Sequence, residues 1–156
     1  MFLMSTLYHA IQHKKVKSIL RIFDHISIYY FIAGSFTPPI LLLTDGWKRI
    51  IFLVLMWSIA ISGTIYKVAI KKKMDKYNGL STVLYITMGW MAMFLIKPIM
   101  YHRYWQFGVL MFIGGLLYTL GTLFYKSKKL KYNHIIRHLF VLSAAVVHFR
   151  AFIKYL

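Results

Sequence analysis

The stretch FGVLMFIGGLLYTLGTLFY, residues 107 to 125, runs for 19 positions without a charged side chain. A helix of that length, at 1.5 Å per residue, spans the hydrocarbon core of a bilayer, which is about 30 Å thick. One such run could be the centre of a large soluble domain, but this chain repeats the pattern. Residues 23–43, 50–70, 80–96 and 138–156 are apolar runs of 17 to 21 residues, and Met1 to about Ile11 is an apolar stub too short to cross. With 60% of its 156 residues hydrophobic, the chain carries more spanning-length apolar sequence than a water-soluble core of this size can bury. Backbone polar groups in hydrocarbon must be paired within the chain, which makes these runs helices. The expectation is an all-α polytopic transmembrane helix bundle, with five full spans plus a short N-terminal helical stub, forming a single integral membrane domain over residues 1–156. Pro38 and Pro39 provide no N–H for the carbonyls of Gly34 and Ser35. A kink is expected there, with the Ser35 and Thr37 hydroxyls available to the freed groups.

Twenty lysines and arginines stand against only Asp24, Asp45 and Asp75, a net charge of +17. A nucleic-acid binder concentrates such charge on one solvated face, whereas here basic clusters alternate with apolar spans. The charges are therefore topology signals, and no nucleic-acid partner is expected. Fourteen of the 20 fall on one side: Lys14, Lys15, Lys17 and Arg21, then Lys67, Lys71, Lys72, Lys73 and Lys76, then Lys126, Lys128, Lys129, Lys131 and Arg137. The other side receives Lys48, Arg49, Lys97, Arg103, Arg150 and Lys154. The excess of basic residues in short loops marks the cytoplasmic face, giving a multi-pass protein of the cell membrane with an external C-terminus. Met1 would then lie at membrane depth, so further chain upstream is expected.

This topology brings polar groups from three helices to one depth. His9 closes the stub, Asp24 opens the first full span, and His134 and His138 open the last, all from the basic side. His134 and His138 are four apart on one helical face and can share a metal, with His9 as a third nitrogen. Three protein ligands and one open position is the arrangement of catalytic zinc, so Zn2+ is the expected cofactor. Asn133 is a candidate N-cap, and the positive end of that helix favours the neutral imidazole that a metal requires. The spacing alone does not select this set, because His9 and His13 form a second pair four apart and interfacial histidines are commonly plain polar residues. His13, followed by KKVK, reads as a solvated loop residue. His148, about 15 Å further along the helix, reads as a hydrogen-bonded structural residue. His25 faces away from Asp24, and His102 falls on the opposite side. The chain has no cysteine, which excludes disulfides and thiolate metal sites.

The segments STLYH at 5–9, FDHISIYYFIAGSFTP at 23–38 and HIIRHLFVLSAAVVHF at 134–149 resemble the hemolysin III family. Its members are bacterial relatives of the progestin and adipoQ receptors and, more distantly, of alkaline ceramidases. The resemblance spans essentially the whole chain. It implies a seven-helix bundle with an intramembrane zinc near the cytoplasmic face, held by a histidine ending the second helix and two opening the seventh. Carried over, these ligands are His9, His134 and His138. The same resemblance places Asp24 beside the water at the metal, and Ser5 in an SxxxH pattern one helical turn deeper than His9. Against that pattern, the first helix and most of the second are expected to be missing from the sequence before His9.

Two classes of function follow. The first is a zinc-dependent hydrolase acting on lipid amides such as ceramide, with membrane lipids as partners, Asp24 as general base and then acid, and Ser5 assisting the oxyanion. The second is a non-catalytic receptor-like protein or a cytolytic pore. A closed structural zinc site wants a fourth protein ligand, and few candidates besides Asp24 exist. A pore needs polar residues through the full depth of its helices, whereas polarity here gathers at the basic side.

Overall fold

The computed structural model describes residues 2–71, 74–95, 97, 105–126 and 133–155, with side chains at 3–71, 79–91, 93–95, 97, 105–121 and 138–155. The chain is an all-helical membrane protein, and no strand occurs among the described residues. Its elements are α1 (Phe2–Ala10), α2 (Lys14–Leu43), α3 (Gly46–Ala69), α4 (Met74–Trp90) continued by a 3₁₀ turn (Met91–Leu95), α5 (Trp105–Lys126) and α6 (Asn133–Tyr155). Every apolar run anticipated from the sequence lies, among the described residues, on one of these helices apart from the end residues Ile11 and Ile70. Among the described residues, Lys14–Leu43, Gly46–Ala69 and His138–Tyr155 are long and apolar enough to cross a membrane, and Gly79–Leu95 and Trp105–Gly121 are shorter apolar helices.

Several helices outrun their apolar segments. α2 begins at Lys14, nine residues before Phe23, so Lys14, Lys15, Lys17 and Arg21 ride on a helix instead of a loop. Lysine and arginine are good helix formers, and their long stems let a helix carry charge out of the apolar layer without ending. Lys67 departs further from expectation: it lies within α3 and is fully buried. α2 stays helical through Pro38 and Pro39. The nearby hydroxyls do not bond the carbonyls that the prolines free. Ser35 Oγ donates to the Phe31 carbonyl at 2.6 Å and Thr37 Oγ1 to the Ala33 carbonyl at 2.8 Å, the usual one-turn back-bond of a hydroxyl in a helix. The chain reverses at Thr44 and Asp45, and Gly46 takes φ 57°, a left-handed conformation that costs a residue without Cβ little.

The chain divides into two compact units, Met1–Pro38 with Trp47–Met88, and Pro39–Gly46 with Gly89–Leu156. In the first, α3 buries Met56, Ala60, Gly63 and Lys67, spaced by four, three and four residues on one face. Tyr29 of α2 is 0% exposed and its ring lies against Gly63, where any Cβ would overlap it. Its other side meets Tyr85 of α4, with ring centroids 4.4 Å apart. In the second unit α5 packs on α6. His148 fits against Gly114, and its Nε2 lies 3.3 Å from the Met111 carbonyl. Tyr118 and Phe152 stand 5.6 and 6.4 Å from the same ring. His148 is therefore the hydrogen-bonded structural histidine expected from the sequence.

The outward faces are apolar. On α6, Leu139, Leu142, Val146, Phe149 and Ile153 are exposed at alternating steps of three and four, while Ala144, His148 and Ala151 are buried. Small and polar residues inside with large apolar ones outside is the pattern of helices packed in lipid, where close approach holds helices together. Gly63→Ala and Gly114→Ala each add a methyl where a buried ring already sits. Each is expected to destabilise the protein by about 1–3 kcal/mol, as overpacking does. Thermal unfolding in detergent checks this, and a stability equal to wild type would contradict the packing described.

Candidate functional site

The sequence-predicted site residues fall into two sets, one on each unit. Ser5, His9 and Asp24 belong to the first. Ser5 and His9 lie one turn apart on α1, Ser5 buried at 5% exposure and His9 exposed at the helix end. The Tyr8 ring makes an edge contact with the His9 ring at 4.7 Å, and the Lys17 ammonium lies 5.5 Å from the centre of Tyr8. This cation–π contact ties the end of α1 to the start of α2. His13 is exposed between the helices, and its carbonyl accepts the Lys17 amide at 2.9 Å, in keeping with its reading as a solvated loop residue.

Asp24 is half-buried on α2, and its own carbonyl and that of the next residue each accept a side-chain hydroxyl. Ser27 Oγ donates to the Asp24 carbonyl at 2.8 Å, and Tyr85 Oη, from α4, donates to the His25 carbonyl at 2.9 Å. The latter bond crosses between helices, so the depth of Asp24 is set relative to α4 as well as α2. The next turn of α2 is held through Tyr29 against Gly63 and Tyr85.

His134 and His138 open α6 in the second unit, one helical turn apart. His138 is half-buried, and the side chain of His134 lies outside the described residues. Among the described residues no three His, Asp or Glu side chains are grouped as a metal site, a statement that leaves out His134. The basic segments 72–73 and 127–132 also lie outside the described residues.

Sequence reasoning missed two contributors. Tyr85, the brace beside Asp24, carries no signal beyond an aromatic residue in an apolar run. Lys67 was grouped with the loop lysines that follow it. Its spacing from Ala60 and Gly63, seven and four residues, was the available sign that it continues the small-residue face of α3.

The chain belongs to the Haemolysin-III related family, whose profile matches residues 1–149. It is 40% identical over 149 residues to the hemolysin-3 homolog of Bacillus subtilis (strain 168), covering 96% of this chain and 68% of that protein. Hemolysin-3 of Bacillus cereus is 38% identical over 149 residues, covering 96% and 67%. The human monocyte to macrophage differentiation factor, a relative from the progestin and adipoQ receptor side, is 33% identical over 162 residues, covering 100% and 66%. The chain thus spans about two thirds of the length of these relatives. No solved structure matches it.

Tyr85→Phe removes one neutral interhelical hydrogen bond and leaves the His25 carbonyl without that donor. A loss of about 0.5–1.5 kcal/mol is expected, with helix content unchanged. Unfolding in detergent followed by circular dichroism measures it, and an unaltered midpoint would show that the bond does not brace α2.

Proposed function

We propose that this hemolysin III-like membrane protein is a zinc-dependent hydrolase of lipid amides, with His9, His134 and His138 as the metal ligands. The observation that carries the reading is the placement of His134 and His138 in the first two turns of a continuous helix, Asn133–Tyr155, whose remaining length is apolar enough to span. Residues four apart on a regular helix share a face, so the pair offers two nitrogens in one direction. The donor set suits zinc: imidazoles at the positive end of a helix, where the neutral form is favoured, in a chain without thiolates. His9, near the end of α1, is the third donor. The basic ends of the helices face the cytoplasm in this reading, and the C-terminus is external.

Zinc bound there would polarise the amide carbonyl and lower the pKa of water. The chain's own groups do the rest. Asp24 accepts a proton from the attacking water as its oxygen bonds to the carbonyl carbon. It then returns that proton to the nitrogen as the C–N bond breaks, releasing a fatty acid and an amine. The Ser5 hydroxyl donates a hydrogen bond to the carbonyl oxygen as negative charge develops on it. The braces from Ser27 and Tyr85 keep the Asp24 backbone fixed through both proton transfers. Asp24 has no acidic substitute nearby in sequence, because Asp45 lies at the opposite end of α2 and Asp75 opens α4.

The names of the Bacillus relatives favour a cytolytic reading as the second choice. Against it stand the outward faces, which are dominated by large apolar side chains. Asp24→Asn keeps size and hydrogen bonding but removes the base. It is expected to lower turnover of short-chain ceramide by about 10²–10⁴ while zinc content stays at the wild-type level. Equal turnover in the mutant would remove Asp24 from the mechanism. Leakage of dye from vesicles by a zinc-loaded wild type that hydrolyses no lipid amide would support the pore instead.

A further inference from the structure

Lys14, Lys17, Arg21 and Asp24 follow one another along α2 at steps of three, four and three residues. That spacing puts all four on one face, so a row of three cations leads along the helix to the carboxylate. Arg21 is one turn from Asp24, and Lys17 is seven residues away, or about 10 Å of helical rise. The row adjoins α1, because the Lys17 ammonium lies over Tyr8, the neighbour of His9.

A second helix adds to the positive charge. Thr37 and Tyr29 of α2 meet Trp57 and Gly63 of α3, respectively, so the two helices run antiparallel. Four residues beyond Gly63 on the same face is Lys67; four or five residues back from Tyr29 are His25 and Asp24. Lys67 therefore sits at the level of Asp24, 0% exposed and within electrostatic reach of Arg21. At this end of the first unit the described side chains include Lys14, Lys15, Lys17, Arg21, Lys67 and Lys71 against Asp24. No rearrangement of ion pairs within the unit balances that excess, and a site of this sign attracts anions. The source of the anion is indicated by the flank of α3, where Ile61, Ile65 and Val68 are exposed and apolar, as acyl chains require.

We propose that the Lys17–Arg21 row is a head-group subsite, and that the preferred substrate of the Asp24 site is a lipid amide whose head group carries a phosphate. The assignment of a substrate rests on the hydrolase reading above; the phosphate subsite itself does not. Arg21 meets the phosphate oxygens by charge-assisted hydrogen bonds, Lys17 supplies a second charge, and buried Lys67 reinforces the potential from behind.

The test is binding to the purified full chain in a zwitterionic detergent, read as the shift of its unfolding temperature. The probes are short-chain ceramide, its 1-phosphate and inorganic phosphate. The 1-phosphate is expected to bind about thirtyfold more tightly than the neutral lipid, from about 1 kcal/mol for each of two basic side chains. Arg21→Gln should reduce that preference by about fivefold, and Arg150→Gln, at an exposed position on α6, should keep it. Should Arg21→Gln fail to fold, Lys17→Gln at the outer end of the row must reduce the preference by about fivefold. Equal binding of the two lipids by wild type, or an unchanged preference in both variants, would overturn the subsite. Full competition by inorganic phosphate at the same concentration as the lipid would assign the site to the free ion and overturn the lipid. Binding that follows these expectations without turnover would sustain the subsite and sink the hydrolase alone.

Discussion

A side chain facing hydrocarbon gains nothing by hiding from it, so helices in a membrane must be held by fit and by polar contacts. Gly63 against Tyr29 and Gly114 against His148 are the two places where this constraint is most plainly met. In each a glycine lets an aromatic or imidazole ring approach the backbone of the neighbouring helix. The His148 ring then reaches the Met111 carbonyl, and the Tyr29 ring lies against that of Tyr85, whose hydroxyl bonds the His25 carbonyl. In the first unit, the Tyr29 and Tyr85 contacts also hold the stretch of α2 next to Asp24.

The fold class was legible because length and hydropathy decide it. Five uncharged or nearly uncharged runs leave little choice in a bilayer, and each lies on a helix. The ends were less legible. α2 and α3 carry charge beyond their apolar runs because a lysine or arginine continues a helix while its head group seeks water. A charge therefore marks the membrane boundary and not the helix boundary. The role of Lys67 was hidden for a related reason: it belongs to the basic cluster by sequence and to the packed face of α3 by helical phase.

The histidines show the same division. His13 and His148 were assigned correctly from local context, one beside a basic run and the other deep in an apolar one. Ser5 and His9 do share α1, and His134 and His138 do open α6, because spacing of four within a helix survives any uncertainty in its ends. What spacing cannot supply is the pairing of groups on separate helices. Tyr85 and His25 are 60 residues apart, and their bond depends on the packing of α2 with α4.

The proposed chemistry depends on His9, His134 and His138 sharing one metal. X-ray absorption at the zinc edge of the purified, zinc-loaded protein measures that directly, since it reports the ligand atoms and their distances without need of a substrate. Three imidazole nitrogens at about 2.0–2.1 Å and one non-protein oxygen per zinc are expected. A spectrum with two imidazoles or fewer, or less than one zinc bound per chain under saturating metal, would contradict the site.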